Sequence, residues 1–194
     1  NARISPKSFN KWKKLKKLYS ESLSTFNKIY AQSSNDLKRI KMLSNANIEY
    51  IGNLKLSYDV NNKIQQNKKK IFSIMLASTH KTEEERIIKH LKQIIKSNRL
   101  KLCIAPRHPE RITQVSKLLI KNKFSYSLDS KSENFDHDVK IIDSFGKLDS
   151  YYNNSEIVIL GGSFISKGGH NPIEPAKHGC AIVSGTHIYN WQNI

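Results

Sequence analysis

From residue 71 onward, short apolar runs alternate with stretches of helical period. Residues 71–77 read as a strand, Ser78-Thr79-His80 as a polar loop, and residues 83–97 as a helix with Ile87, Leu91, Ile94 and Ile95 on one side. Residues 102–105 form a second strand and 110–122 a second helix; 124–128 and 139–142 are further strands, separated by a polar loop at 130–138. The run Ile157 to Leu160 predicts a strand buried on both faces. Strand-helix-strand units with short connections imply an α/β fold with a doubly wound parallel sheet and right-handed crossovers.

Upstream the pattern differs. Asn1-Ala2-Arg3-Ile4-Ser5 reads as the end of a strand, and Pro6 opens a basic helix through about Tyr19 whose apolar stripe is Phe9, Trp12, Leu15, Leu18 and Tyr19. That stripe fits ordinary packing or a basic amphipathic surface lying on an anionic membrane. Residues 28–32 alternate like a strand, Ser34-Asn35-Asp36 caps a helix through Leu43, and 48–51 form another strand broken by Gly52-Asn53. Residues 54–70 are rich in Asn, Gln and Lys, lack steady periodicity and read as a linker. The organisation expected is therefore 1–53 as the end of one domain, 54–70 as linker and 71–194 as a nucleotide-binding domain.

Composition narrows the function classes. At 194 residues the chain is one ordinary domain or parts of two. It contains no run of eighteen apolar residues and opens on no signal-peptide pattern, so nothing in it spans a membrane by itself. Cys103 and Cys180 sit in or beside apolar strands and read as small core residues of a reducing compartment, not as a disulfide or metal pair. A net charge of +17 fits anionic partners, or a solvated surface of a chain rich in Lys, Asn and Ile throughout. Nucleic acid is not the expected partner, because no aromatics interleave the lysines and no nucleic-acid motif is present.

Candidate chemistry gathers at two strand ends and one helix start. Gly161-Gly162-Ser163 closes one strand with residues that let a ligand approach the backbone. Gly168-Gly169-His170 leads into a helix start with Asn171 as N-cap, Pro172 at the first position, then Ile173, and Glu174 three past the cap. Such an N-terminus suits a phosphate, although Asn-x-x-Glu is also the spacing by which a capping box satisfies its own helix. Pro106-Arg107-His108-Pro109-Glu110-Arg111 puts Arg107 at the end of another strand, where its fork fits a phosphate or carboxylate or simply lies on a surface turn.

These residues also carry a resemblance. Gly161-Gly162-Ser163-Phe164, Gly168 to Ala176 and His178-Gly179 resemble the signature of the 3-deoxy-D-manno-octulosonic acid (Kdo) transferases of lipopolysaccharide assembly. The Pro-Arg-His-Pro-Glu-Arg run, Ser78-Thr79-His80, Ser144-Phe145-Gly146-Lys147-Leu148 and the upstream Asn-Ala-Arg, Ala31-Gln32-Ser33, Asp36, Arg39 and Gly52-Asn53-Leu54-Lys55 are similar to the same family. The resemblance implies a GT-B-type glycosyltransferase with two facing Rossmann-like domains, of which this chain holds a remnant of the amino-terminal domain and an incomplete donor-binding domain.

It further implies an inverting transfer of Kdo from cytidine monophosphate-Kdo (CMP-Kdo) to a lipid A precursor, lipid IVA, at the cytoplasmic face of the bacterial inner membrane, with no metal and no cofactor. Donor contacts carried over are Pro106, Arg107, Phe145, Gly146, Lys147, Asn171, Pro172, Ile173 and Glu174, with Glu174 accepting from ribose hydroxyls. Ser78, Thr79, His80, Gly162, Ser163, Gly169 and His170 are additional candidates. Lys147 departs from the family's more usual acidic residue, which leaves a side-chain role there open. The family's general base belongs to the amino-terminal domain ahead of these residues, so no catalytic residue is assigned and the polypeptide alone is expected to transfer no sugar. A uridine-sugar enzyme or a basic nucleic-acid-binding module are the rival readings.

Overall fold

The computed structural model describes residues 1–52, 54, 70–132 and 135–191. The expected linker at 54–70 therefore falls almost wholly outside the described residues, as do Asn53 and Lys55. The chain divides into two compact units, Asn1–Asn61 and Asn62–Ile194.

In the first unit, helix α1 (Pro6–Trp12) starts because Ser5 accepts from the Ser8 amide at 3.1 Å and Pro6 presets the first turn. The expected single helix to Tyr19 is instead broken by a 3₁₀ turn, Lys13–Leu15, before α2 (Lys16–Ser24). The tighter turn rotates the stripe: Phe9, Trp12, Tyr19 and Leu23 pack on the core, while Leu15 and Leu18 are 55% and 53% exposed. Strands β1 (Ile29–Ala31) and β2 (Ile48–Tyr50) pair in parallel around α3 (Ser34–Leu43). Ser33 caps α3 through the Asp36 amide, and buried Asp36 accepts from the Ile4 amide at 2.9 Å while Arg39 donates to the Ile4 carbonyl. This ties the amino-terminal strand end to α3 over the apolar cluster of Ile4, Ile29, Ala31, Ile40, Leu43 and Ile48.

The second unit is a six-stranded sheet in which every pair is parallel. Its strands are β3 (Phe72–Thr79), β4 (Leu102–Pro106), β5 (Tyr126–Leu128), β6 (Val139–Ile141), β7 (Ser155–Leu160) and β8 (Ala181–Val183), in spatial order β5-β6-β4-β3-β7-β8. Alternate residues of the central strands feed opposite faces. Ile74, Leu76, Leu102 and Ile104 pack with Ile87, Ile88 and Ile95 of α4 (Glu83–Ser97) and Val115 and Leu119 of α5 (Ile112–Lys121). Met75, Ala77, Cys103 and Ala105 face Tyr151 and Tyr152 of α6 (Leu148–Asn153) and Cys180, beyond the short helix α7 (Ile173–Lys177). Both cysteines are buried thiols.

Two boundaries and one burial pattern differ from expectation for local reasons. Two prolines, Pro106 and Pro109, delay the second helix, which begins as a 3₁₀ turn at Pro109–Arg111. Lys123 turns with φ +59°, which drops Phe124 into the core and starts β5 two residues late. The run Ile157 to Leu160 is buried as expected at Val158, Ile159 and Leu160 but exposes Ile157, beside the three-residue edge strand β8, which is exposed along its length.

Candidate functional site

The chain leaves β3 toward β4 on one side of the sheet and returns through β7 on the other, so β3 and β7 flank the topological switch point, where crevices form at strand carboxyl ends. Backbone geometry makes the join tight. Register shifts between Ala77 and Thr79, and Ser78 takes φ +56°, outside the usual range for a residue with a side chain. A Cβ on Gly161 would lie 2.3 Å from the Ser78 carbonyl oxygen and 2.6 Å from Thr79 Cα. Only glycine fits there. Gly161→Ala is expected to lower stability by about 1–3 kcal/mol in urea unfolding; an unchanged midpoint would show that the two loops are not pressed together.

Glu83 holds the loops in place. Its fully buried carboxylate accepts from the amides of His80 and Gly162, each at 2.8 Å, and of Phe164 at 3.1 Å. Glu84 beside it receives both terminal nitrogens of Arg111 at 2.8 Å and the Thr79 hydroxyl at 2.8 Å. Sequence reasoning placed the helix start here but singled out neither acid. The second glycine pair folds back on the first, with the Gly169 amide on the Gly162 carbonyl and the His170 amide on the Gly161 carbonyl.

The glycine-loop amides of Gly161, Gly162, Phe164, Gly169 and His170 are engaged by protein acceptors, so they form no open cradle. Helix α7 has only five residues and is assigned from Ile173, with Pro172 at its cap position. Asn171 still accepts from the Ile173 amide at 3.0 Å, while its own side-chain amide donates to Glu174 Oε1 at 2.9 Å. Glu174 therefore meets the side chain of Asn171 rather than its backbone, which is a capping contact of another kind. Ser163 is buried, donating to the Leu160 carbonyl and accepting from the Gly185 amide; with Thr79 it serves the scaffold.

Side chains fill the crevice instead. His80 and His170 lie with Nε2 atoms 3.0 Å apart and rings near parallel, and the His108 ring stands edge-on 5.7 Å from His80. Arg107 is exposed, its amide bonded to the Thr79 carbonyl at 2.9 Å beside the last residue of β4, buried Pro106. Burial lowers the His170 pKa to about 4, helped by the charges of His80, Arg107 and His108. Burial likewise lowers that of His80, against the opposing pull of Glu83. The site thus unites Arg107, His108, His80 and His170 beside the Asn171–Glu174 turn.

Phe145, Gly146 and Lys147 follow β6, which lies beyond β4 on the same strand ends. Phe145 is 78% exposed and Gly146 adopts φ +81°. Lys147 donates to Asp129 at 2.6 Å, and Tyr151 donates to the other oxygen of that carboxylate. Burial alone would raise the Asp129 pKa, but those two donors bring it below the usual value. The sequence could not disclose this partner, since Asp129 lies in a different loop. Among the described residues no group of His, Cys, Asp or Glu is arranged to hold a metal, and no helix is long and apolar enough to cross a membrane.

Comparison with known proteins agrees across both units. Residues 1–58 match the model of the 3-deoxy-D-manno-octulosonic-acid transferase (kdotransferase) family. The whole chain is 32% identical to 48% of the 3-deoxy-D-manno-octulosonic acid transferase of Haemophilus influenzae. Over 95% of its length it is 35% identical to 42% of the Rickettsia prowazekii transferase. The chain therefore spans about half the length of the curated relatives it matches. A solved structure, the C-terminal CMP-Kdo binding domain of WaaA from Acinetobacter baumannii, superposes with TM-score 0.59 at 32% identity, covering 63% of this chain and 65% of that one.

Proposed function

Since this chain belongs to the 3-deoxy-D-manno-octulosonic acid transferase family, we propose that its second unit binds CMP-Kdo for transfer of Kdo to a lipid A precursor, lipid IVA. The observation carrying this reading is the convergence of Arg107 and three histidines on the switch point between β3 and β7. Arg107 faces the phosphate. Its charge stabilises the leaving cytidine monophosphate, an electrostatic task that needs no metal. Two inter-strand steps, about 10 Å, separate β3 from β6, a distance a nucleoside monophosphate spans with its base toward Phe145 and Gly146. Glu174, oriented by Asn171, accepts from the ribose hydroxyls.

The transfer inverts the anomeric centre in one displacement. No residue here is given the general base's role, so donor binding is the property to measure and turnover by this polypeptide alone is not expected. The basic helices α1 and α2, with Leu15 and Leu18 exposed among lysines, fit a peripheral position on the anionic cytoplasmic face of the inner membrane.

Calorimetric titration tests the donor reading. Cytidine monophosphate is expected to bind at least about tenfold more tightly than uridine monophosphate, the worth of about one hydrogen bond. Equal affinities would favour a uridine-sugar enzyme. Tighter, steeply salt-dependent binding of oligonucleotides would favour a nucleic-acid module.

A further inference from the structure

We propose that His80 and His170 act as one proton-accepting unit that couples binding of the donor's phosphate to uptake of a proton from solvent, an inference that rests on the donor reading above. At 3.0 Å between Nε2 atoms, one ring must donate and the other accept. Two imidazolium rings would set donor against donor. While the contact lasts the pair therefore takes one extra proton at most, and that proton enters Nδ1 of the ring whose Nε2–H spans the contact. Gly162 fixes the geometry, since a Cβ there would lie 3.2 Å from the His170 ring.

The surroundings keep the pair neutral until an anion arrives. His80 is faced by Glu83 from α4, by His108 after β4, by Lys167 of the glycine loop and by Arg111 at the start of α5. His170 is faced by His80, Arg107 and His108. Glu83 is the one acid in these two sets, and its oxygens already accept three amides. Burial and the excess of cations together lower both histidines. A phosphate entering beside Arg107 reverses the balance, because it favours the charged form that the empty crevice disfavours. The bound pair then titrates above the unbound pair. Affinity must rise as pH falls through the window between the two values, by at most tenfold per pH unit, and level off once the unbound pair is itself charged.

The test is calorimetry on the whole chain with the methyl ester of cytidine 5′-monophosphate, whose diester phosphate keeps one charge from pH 5.5 to 8. Pairs of buffers with different ionisation enthalpies report protons taken up. Expected are near-zero uptake at pH 8, rising toward one proton at pH 5.5, and an affinity gain of about tenfold over that range. Cytidine, which lacks the phosphate, should bind without uptake. His170→Gln and His80→Gln should each abolish uptake and leave weaker, pH-independent binding. Ester binding without proton uptake, or uptake surviving both substitutions, overturns the coupling and leaves the donor reading standing. An ester that fails to bind at every pH overturns the donor reading and the coupling with it.

Discussion

Glutamine in place of Glu83 is expected to destabilise the second unit by about 2–4 kcal/mol and to abolish nucleotide binding with it. The side chain is fully buried and both oxygens accept backbone amides: Oε2 from His80 and Gly162, Oε1 from Phe164. Glutamine keeps the shape but turns one acceptor into a donor, so an amide is left without a partner and faces another N–H. Each buried donor stranded in this way costs about 1–3 kcal/mol. Against a typical total of about 5–15 kcal/mol, this is a large fraction. Urea unfolding followed by circular dichroism measures it. A loss under about 0.5 kcal/mol would mean that the glycine loop is held by other contacts and that Glu83 is incidental. Glu85 is exposed on the same helix and serves as the control, with Glu85→Gln expected within about 0.5 kcal/mol of the parent.

Alanine at Arg107 is expected to weaken cytidine monophosphate binding about 10- to 100-fold while leaving thermal stability unchanged. The guanidinium is exposed; the bond that fixes this residue, to the Thr79 carbonyl, runs through the backbone amide and survives the substitution. A charge-assisted contact to phosphate is worth about 1.5–3 kcal/mol, which sets the range. Arg107→Lys should recover part of the loss, since an ammonium supplies the charge but not the two-pronged geometry. Unchanged affinity in the alanine variant would remove the phosphate from this strand end. A drop in melting temperature would mean that the side chain supports the fold instead.

Much of this architecture was legible in the order of residues. Ile74, Leu76, Leu102 and Ile104 alternate with Met75, Ala77, Cys103 and Ala105, and both sets are buried, so the two-sided core followed from period two and apolar content. Pro6 opened its helix as its chemistry suggested, while the cap expected at Ser34-Asn35-Asp36 is supplied one residue earlier, by Ser33. Failures arose where one residue's conformation depends on another far along the chain. The Ser78 kink exists because Gly161 leaves room for it. Glu83 reads as a helix-start acid and instead serves a loop 79 residues away. The expected single helix over residues 6–19 failed for a local reason, a 3₁₀ turn that rotates Leu15 and Leu18 off the packed face.

At the candidate site, chain order located the strand ends and the glycine pairs, and the resemblance named Arg107 and Glu174. What it could not supply was the occupancy of the amides. A run such as Gly-Gly-Ser carries the same letters whether its N–H groups point to a ligand or to a buried carboxylate from α4. The contact between His80 and His170 was equally hidden, since 90 residues separate them. Both became visible only as distances.

The placement of β7 beside β3 also bears on how the polypeptide comes into being. At about 5–20 residues per second, the ribosome needs about 4–16 s to carry synthesis across the 79 residues from Glu83 to Gly162. During that interval the nascent β3 has one edge open and Glu83 lacks two of its three amide partners. Chaperone occupancy during translation should therefore peak before the glycine loop emerges and fall once it docks.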